Sequence, residues 1–257
     1  MDWVYLSPHL DDAVLSCGGL IWEQVHSKQS VQIWSICAGD PPSGALSPFA
    51  ASLHARWQTG REAMKLRRAE DQAACKFLGA NIRHFNFPDC IYRLATLPPS
   101  GTVSSLYASE AALFGSLNTA ETLLIQEVRT QIETYLPPQV QVVSPMALGN
   151  HVDHQLVRQA AEALGKPLWY YADYPYVGQQ GDHLAAMNAD GWEVRVFLIS
   201  AQGLIAWQDA IAAYTSQTGT FWEDEDQMRL AIERYCSQSG GVRLWQNLRQ
   251  YQLLRIS

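Results

Sequence analysis

Short apolar runs of β-forming residues alternate with helical segments along the first two-thirds of this chain, and this alternation restricts the fold class. Trp3 to Ser7 predicts the first strand, and a helix is expected from Ser16 to about Lys28. Further strands are predicted at residues 30–38, 81–87, 140–144 and 168–172, and further helices at 53–79, 119–136 and 151–164. Strands that alternate with helices form a mostly parallel sheet covered on both faces. We therefore predict a Rossmann-like α/β fold.

Beyond residue 175 the pattern is less regular. A strand is predicted at 192–199, and helices at 202–216, 223–236 and 242–254. We expect this region to be an elaboration packed on the sheet, so that one domain spans 1–257, with a catalytic core at 1–175 and the C-terminal elaboration at 176–257. Residues 97–105, rich in Pro, Ser and Gly, predict an exposed loop. The pair Gly18-Gly19 predicts close helix–strand packing, because the phosphate-binding pattern GxGxxG is absent.

Composition excludes several classes of protein. A net charge of −7 without a basic block argues against nucleic acid or an anionic membrane as partner. No apolar run reaches the roughly 18 residues of a membrane span, and no secretory signal pattern is visible. Five scattered cysteines without CxxC favour a reducing, cytoplasmic location, and self-association is left open. The nine tryptophans and eleven tyrosines have two explanations: ordinary packing, or a pocket or interface with aromatic walls.

Two groups of polar residues follow separate predicted strands. His9, Asp11 and Asp12 come directly after the first strand, and His151-Val152-Asp153-His154 follows the strand at 140–144. The carboxyl ends of parallel strands lie on one edge of a sheet, where open α/β folds bind their ligands. Each group alone has an ordinary alternative, a surface loop for the first and a surface histidine pair for the second. Their conjunction predicts a site.

Two histidines and one carboxylate form a known ligand set for catalytic zinc, with one position open for water. His9, Asp12 and one histidine of the second group would supply it. A bound zinc ion lowers the pKa of its water to about 7, and Asp11 could then act as general base. The remaining histidine, held by Asp153, could be an imidazolium that stabilises the oxyanion or protonates the leaving group. These parts predict a metal-assisted amide hydrolase, although such a site also accepts iron(II), cobalt or manganese.

Three motifs resemble those of one family. Ser-Pro-His-Leu-Asp-Asp-Ala-Val-Leu-Ser-Cys-Gly-Gly at 7–19 is similar to the first motif of the PIG-L/LmbE-like (GlcNAc-PI de-N-acetylase-like) deacetylases. Residues 67–79 resemble their R-x-x-E motif followed by A-x-x-x-L-G, and residues 151–154 resemble H-x-D-H. The likeness covers about residues 1–175. It implies a zinc-dependent hydrolase that removes an N-acyl group, expected to be N-acetyl, from a small amino-sugar conjugate.

Residue by residue, the resemblance implies roles for several positions. The implied metal ligands are His9, Asp12 and His154; Asp11 is the implied base, and His151, oriented by Asp153, the catalytic histidine. Arg67 matches a substrate-binding arginine, and its alternative is an exposed helix-face charge paired with Glu70 or Asp71. Asp89 aligns loosely with a substrate-binding acid, and its alternative is an N-cap or turn aspartate.

Three positions depart from the family pattern. Leu10 replaces a proline, Ala13 replaces a glutamate, and Gly149 stands where some members have a tyrosine that polarises the substrate carbonyl. Tyr170, Tyr171, Tyr174 and Tyr176 are candidates to supply a hydroxyl instead. Two alternatives therefore stay open: a non-catalytic sugar-binding or regulatory relative, and a metal hydrolase of a different amide or ester.

Overall fold

The computed structural model describes residues 2–57, 59–60, 62–97, 102–179 and 191–248. The strands in these ranges are β1 (Asp2–Ser7), β2 (Ser30–Ser35), β3 (Asn81–His84), β4 (Leu94–Leu97), β5 (Thr102–Ser105), β6 (Gln141–Pro145), β7 (Leu168–Tyr171), β8 (Trp192–Phe197) and β9 (Val242–Asn247). The α-helices are α1 (Asp12–His26), α2 (Pro48–Arg56), α3 (Ala63–Leu78), α4 (Glu110–Leu113), α5 (Thr122–Tyr135), α6 (Val152–Glu162), α7 (Ala201–Ala212), α8 (Thr215–Thr218) and α9 (Glu225–Ser239).

A seven-stranded sheet runs through the molecule in the order β3-β2-β1-β6-β7-β9-β8. The pairs among β3, β2, β1, β6 and β7 are parallel, whereas β9 is antiparallel to both of its neighbours. The predicted α/β class is confirmed. After β3 the chain returns to the other side of β1, so the strand order reverses between β1 and β6. In open α/β sheets the crevice at this switch point binds the ligand.

Side chains of β1 alternate between two cores. Trp3 and Tyr5 point into the cluster formed with α1, α3, α7 and α9, and Val4 and Leu6 point into the cluster formed with α5 and α6. All four are nearly fully buried. The helices therefore cover both faces of the sheet, and the site residues can emerge only at its edges.

Several predicted elements have different bounds. Helix α1 begins four residues earlier than predicted. The helical segment predicted at 53–79, for which the sequence suggests a break near Gly60, is two helices, and the first of them, α2, begins at Pro48 instead of Leu53. The prediction of a loop at 97–105 is wrong for its described part, because Leu94–Leu97 pairs with Thr102–Ser105 as an antiparallel ribbon.

The helix predicted at 242–254 is also wrong for the residues described. Val242–Asn247 is β9, which lies inside the sheet between β7 and β8. Gly240, with a φ of +68°, ends α9 in the left-handed conformation and lets the chain turn into this strand. The C-terminal region thus extends the sheet as well as packing helices on it; residues 249–254 lie outside the described ranges.

The pair Gly18-Gly19 packs against a helix, not a strand as predicted. A Cβ at Gly18 would overlap the indole of Trp207 on α7, and one at Gly19 would lie 2.8 Å from it. The Trp207 indole N–H donates to the carbonyl of Val14 at 2.7 Å. Because the two glycines have no side chains, they leave space on α1 for the Trp207 indole. This contact holds α7 against α1.

Composition led to expectations about the cysteines and about membrane-spanning segments. All five cysteines are unpaired, four of them buried. In the part of the chain that the structure describes, no helix combines the length and apolarity that a membrane crossing needs.

Candidate active site

The site lies at the switch point, where the loops after β1 and β6 meet. After β1, the Ser7 hydroxyl donates to the His9 carbonyl at 2.6 Å and accepts from the Ala13 N–H at 3.0 Å, which fixes the turn into α1. After β6, His151 is the N-cap residue of α6. The two groups of polar residues that follow separate strands in the sequence are therefore brought together.

Asp12 stands between two imidazoles. Its Oδ2 lies 3.1 Å from His9 Nδ1 and 3.3 Å from His154 Nε2. With metal–ligand bonds of about 2.0 to 2.2 Å, Asp12 Oδ2 is close enough to each of these imidazole nitrogens to share an ion with it. These are the three ligands that the family resemblance implies.

The other nitrogen of each imidazole meets a different carboxylate. His9 Nε2 donates to Asp153 Oδ2 at 2.9 Å, and His154 Nδ1 donates to Asp173 Oδ1 at 2.6 Å. A histidine that binds a metal typically donates its second N–H in this way, which fixes its tautomer and orientation. Asp173 was not predicted as a site residue, although it directly follows the strand predicted at 168–172, and a position after a strand is the same signal that identified Asp12.

The charges around these histidines favour a cation. Burial alone would lower the pKa of His154, but the carboxylates of Asp12 and Asp173 raise it to about 10. The pKa of His9 is also raised against the effect of burial, chiefly by Asp12. A divalent ion would replace the protons that these two rings otherwise hold. The donor set therefore fits a metal ion.

Other donor atoms also lie close together in these loops. Three groups place their possible ligand atoms within 4.8 Å of one another: His9 with His151 and His154; Cys90 with His151 and Asp153; and His9 with Asp89 and Asp153. We favour His9, Asp12 and His154, because in this set both histidines have their second nitrogen on a carboxylate and a further carboxylate, Asp11, stays unused.

The Asp153 side chain contacts His9, whereas the sequence predicted that it would hold the ring of His151. Its carboxylate also accepts from the Cys90 N–H at 3.0 Å and forms an ion pair with Arg93. Burial opposes ionisation, but Arg93 and His9 hold the pKa of Asp153 well below its usual range. His151 Nδ1 instead accepts a hydrogen bond from the backbone N–H of Asp153 at 3.2 Å.

Arg93 connects the site to a buried pair of side chains. Its Nη1 lies 3.0 Å from Glu121 Oε1, and the Tyr107 hydroxyl donates to the other oxygen of Glu121. Arg93, Glu121 and Tyr107 are each at most 6% exposed. No spacing pattern in the sequence indicates this contact, because Arg93 and Glu121 lie on different segments.

Asp11 is buried, and among the described residues its side chain makes no hydrogen bond to His9 or His154. Its Oδ1 lies 3.5 Å from Arg67 Nη2. Burial raises the pKa of Asp11 to about 6 in spite of the positive charge of Arg67, with Asp12 adding to the rise. A carboxylate with a raised pKa beside an open cavity can accept a proton near neutral pH.

The surroundings of His151 favour its neutral form, whereas the sequence-based interpretation allowed it to be an imidazolium. Burial lowers its pKa, and His9 and His154 lower it further. Because its Nδ1 accepts the N–H of Asp153, the neutral tautomer carries its proton on Nε2. His151 therefore offers the cavity a neutral N–H donor.

Arg67 and Asp89 line the same cavity. Arg67 is 4% exposed and its guanidinium lies 5.2 Å from the centre of the Trp57 ring, so the alternative of an exposed helix-face charge is wrong. Asp89 accepts the Ile91 N–H at 3.2 Å and thereby caps a 3₁₀ turn, and its Oδ2 lies 3.8 Å from His9 Nε2. Asp89 thus fills the N-cap role and also faces the site.

The cavity that holds these groups has a volume of about 160 Å³. His9, Asp11, Asp12 and His151 are on its wall, together with Tyr176, which follows β7. Further lining residues come from α2, from α4, and from the segment around α8. The contributions of Trp57, Phe114 and Phe221 were not predicted, because apolar residues on short, irregular segments carry no periodic signal.

Residues 4–164 match the model of the PIG-L family, described as GlcNAc-PI de-N-acetylase. The chain is 28% identical over 207 residues to the 2'-N-acetylparomamine deacetylase of Niallia circulans, and the alignment covers 74% of this chain and 71% of that protein.

Solved structures show the same fold. A deacetylase from the biosynthesis pathway of teicoplanin, solved as a complex with bog, has a TM-score of 0.75 and 26% identity, covering 96% of this chain and 97% of that one. The zinc inhibited form of teicoplanin deacetylase Orf2 has a TM-score of 0.70 and 24% identity, with the same coverage.

Proposed function

The chain belongs to the PIG-L family, and we propose that it is a metal-dependent hydrolase that removes the N-acetyl group from a small amino-sugar conjugate. One observation carries the proposal: the Nδ1 of His9 and the Nε2 of His154 meet at Asp12 Oδ2, while each ring has its other nitrogen on a carboxylate. The deacetylase relatives supply the reaction class, and the amino-sugar substrate follows from the N-acetylparomamine deacetylase.

We assign His9, Asp12 and His154 as the residues that hold the metal, with zinc as the first candidate. Zinc supplies Lewis acidity, which polarises an amide carbonyl and makes water easier to deprotonate. Because one neighbour of known structure is a zinc inhibited form, the amount of metal has to be a variable of every assay. Iron(II), cobalt and manganese suit the same donors.

Asp11 is the general base in this proposal. Its Oδ1 faces Arg67, so the other carboxylate oxygen takes the proton of the attacking water. The same proton is then delivered to the nitrogen of the leaving amine, which completes cleavage of the C–N bond to acetate and amine. Arg67 keeps the carboxylate oriented through this exchange.

His151 stabilises the developing negative charge on the carbonyl oxygen. Its Nδ1 is occupied by the backbone N–H of Asp153, so Nε2–H is the donor available to substrate. A fixed neutral donor of this kind costs no proton transfer when charge develops. Asp89 and Arg67 are the groups that we assign to substrate binding.

An assay of acetate release with defined metal content tests the proposal. Protein freed of metal with a chelator receives zinc, iron(II) or cobalt, from less than one equivalent to an excess. N-acetylglucosamine glycosides and simple acyl esters are then compared. We expect acetate from the amides at about one equivalent of metal and none without metal. Metal binding without hydrolysis of any amide would favour the sugar-binding alternative, and preferential ester hydrolysis would favour a different hydrolase.

A further inference from the structure

The seven-stranded sheet has two edge strands, and they differ in what they offer to another chain. The first edge, β3, has only four residues. The guanidinium of Arg83 lies 4.1 Å from the centre of the Tyr135 ring, and His84 Nε2 lies 3.0 Å from a carboxylate oxygen of Asp71. Short edge strands with charged side chains discourage pairing with another chain. The β3 edge is therefore a poor partner for a further strand.

The second edge, β8, is longer and more apolar. It has six residues, none of them proline or glycine, and within the described ranges it pairs only with β9. Val196 is 46% exposed, and Leu198, just beyond the strand, is 82% exposed. An edge strand of this kind can pair with another chain through its unused backbone groups.

The register with β9 determines which backbone groups of β8 point outward. Gly191 and Leu248 lie opposite each other in this register, and the Leu248 N–H donates to the Gly191 carbonyl at 3.0 Å. In an antiparallel ladder, opposed residues that share hydrogen bonds alternate with opposed residues that do not. The odd-numbered residues of β8 therefore direct their N–H and C=O groups toward β9. The even-numbered residues direct theirs outward: Trp192, Val194 and Val196.

Two charged side chains of β8 have no ion-pair partner in the part of the chain that the structure describes. Glu193 and Arg195 are both exposed, and because they lie two residues apart they share one face of the strand. The Arg195 guanidinium lies 5.1 Å from the centre of the Phe197 ring on the same face. One charge of each sign, separated by a single residue, makes the strand complementary to an antiparallel copy of itself.

One register satisfies the backbone and the charges together. When Val194 lies opposite Val194 of a second copy on a two-fold axis, Trp192 lies opposite Val196, and their outward backbone groups exchange hydrogen bonds. Glu193 then lies opposite Arg195 in a pair that shares no backbone hydrogen bond, where side chains are closest. The next allowed register on either side places Glu193 opposite Glu193, or Arg195 opposite Arg195. Like charges directly opposite each other are destabilising.

We propose that β8 is a dimerisation edge, at which two copies of this chain pair their β8 strands antiparallel about a two-fold axis and join their sheets into one. The apolar face of the strand supports the same pairing, because it sets Trp192 opposite the half-exposed Val196. An aromatic residue opposite a β-branched one stabilises a strand pair. The inference is independent of the proposed hydrolase activity, since β8 lies at the far end of the sheet from the switch point between β1 and β6.

Sedimentation velocity of the purified protein over a range of concentrations tests the proposal. We expect a species with twice the mass of one chain, which dissociates on dilution. Higher salt should increase its dissociation constant, because the charge pairs lie at the surface. A protein that keeps the mass of one chain at every concentration would overturn the proposal.

Charge reversal tests the register. Glu193→Arg and Arg195→Glu each set like charges opposite each other twice in the dimer, so each should raise the dissociation constant about tenfold or more. The double variant restores opposite charges and should return to within about threefold of the wild type. The matched controls Glu127→Arg on α5 and Lys76→Glu on α3 change the net charge equally at exposed positions away from β8, and they should leave the constant unchanged.

Two outcomes of this series would contradict the proposal. If neither single reversal weakens the dimer, the two copies associate through another surface. If the double variant dissociates as readily as the single variants, Glu193 and Arg195 do not lie opposite each other and the register is wrong.

A proline tests the backbone pairing. Val196→Pro removes an N–H that points outward, so the ladder with β9 should stay intact while the dimer is weakened about tenfold or more. Val196→Thr keeps the N–H and the β-branched shape, and it should dimerise like the wild type. Circular dichroism checks that both variants are folded. Acetate release per chain should be unchanged in both, because Val196 does not line the active-site cavity. A dimer of unchanged strength in a folded Val196→Pro variant would rule out strand pairing at β8.

Discussion

The Tyr176 ring occupies the space that a side chain at Gly149 would need. A Cβ at position 149 would lie 2.6 Å from Tyr176 Cγ and 2.9 Å from Tyr176 Cβ. Tyr176 lines the active-site cavity, and its ring centre is 6.0 Å from that of His154. The glycine that departs from the family pattern is thus explained by an aromatic ring that enters the site from the loop after β7.

We predict that Gly149→Ala impairs both folding and activity. The backbone φ of +80° costs an alanine about 1–2 kcal/mol, and contact with atoms near the Tyr176 backbone adds about 1–3 kcal/mol. Gly165→Ala is the matched control, since φ is +63° there and nothing lies within 4 Å. Urea unfolding should show the larger loss at 149, together with about tenfold lower kcat/KM. Equal losses in the two variants would mean that the Tyr176 ring yields without cost.

The parts of the fold that the sequence predicts are those with strong local patterns. The strand at the N-terminus and the break into helices near Gly60 follow from apolar runs and from glycine chemistry. The strand Val242–Asn247 was missed because its pairing partners, β7 and β8, are separate segments of the chain, and tertiary pairing outweighs weak local preference.

The same distinction applies to the site. The proximity of His9, Asp12 and His154 could be predicted, because each follows a strand or opens a helix and the topology brings these positions together. The role of Arg93 could not be predicted, because it depends on buried ion pairs with Asp153 and Glu121, which lie far from Arg93 in the sequence. Long-range ion pairs leave no periodic trace in a sequence.

Asp173→Asn should weaken metal binding while the protein still folds. The amide oxygen of the new side chain can accept from His154 Nδ1, as the native Oδ1 does at 2.6 Å. The Leu148 N–H, which the native Oδ2 accepts at 2.9 Å, loses its partner, at a cost of about 1–3 kcal/mol in stability. Loss of the negative charge makes the His154 ring a poorer ligand, and metal affinity should fall about 10- to 100-fold.

Competition with a chelator measures this affinity, with the exposed Asp226→Asn as control. Circular dichroism of both variants checks that they are folded before metal is added. Unchanged affinity in Asp173→Asn would remove His154 from the ligand set.

Arg93→Gln should strongly destabilise the fold. It leaves Asp153 and Glu121 buried without their shared cation, and breaking a buried pair costs about 3–5 kcal/mol. Arg129→Gln is the matched control, because the exposed pair of Arg129 with Glu133 at 2.9 Å contributes at most about 1 kcal/mol. Denaturant unfolding gives the free energy of unfolding of each variant. The two values can be compared when the m-value, the slope of this free energy against denaturant concentration, is unchanged. Similar losses would show that the Arg93 contacts contribute little.

Asp71→Asn should change how stability depends on pH. The buried carboxylate accepts from Ser35, His84 and Tyr214, yet burial still raises the pKa of Asp71 above its ordinary value. The folded state therefore holds this proton more tightly than the unfolded chain, whose pKa is about 3.9. The resulting stabilisation is complete below about pH 4 and is lost as pH rises through the folded pKa.

The measurement is the free energy of unfolding of both proteins at about pH 4 and about pH 7. We expect the wild type to lose stability relative to Asp71→Asn between these values, because the asparagine keeps an acceptor oxygen without a titrating proton. A constant difference across this range would contradict the prediction.

Replacement by asparagine should affect activity and metal content differently at Asp11 and at Asp12, two neighbouring residues at the start of α1. Asp11→Asn removes the proposed base and should lower kcat by about 10² to 10⁴, while the metal content stays near that of the wild type because His9, Asp12 and His154 are intact. Asp12→Asn should lose both activity and metal, since Asp12 lies between both imidazoles at 3.1 and 3.3 Å. Metal analysis of each purified variant, followed by acetate release at saturating substrate, separates the roles. Loss of metal from Asp11→Asn would make Asp11 a ligand instead of the base, and full activity in that variant would require another proton acceptor in the cavity.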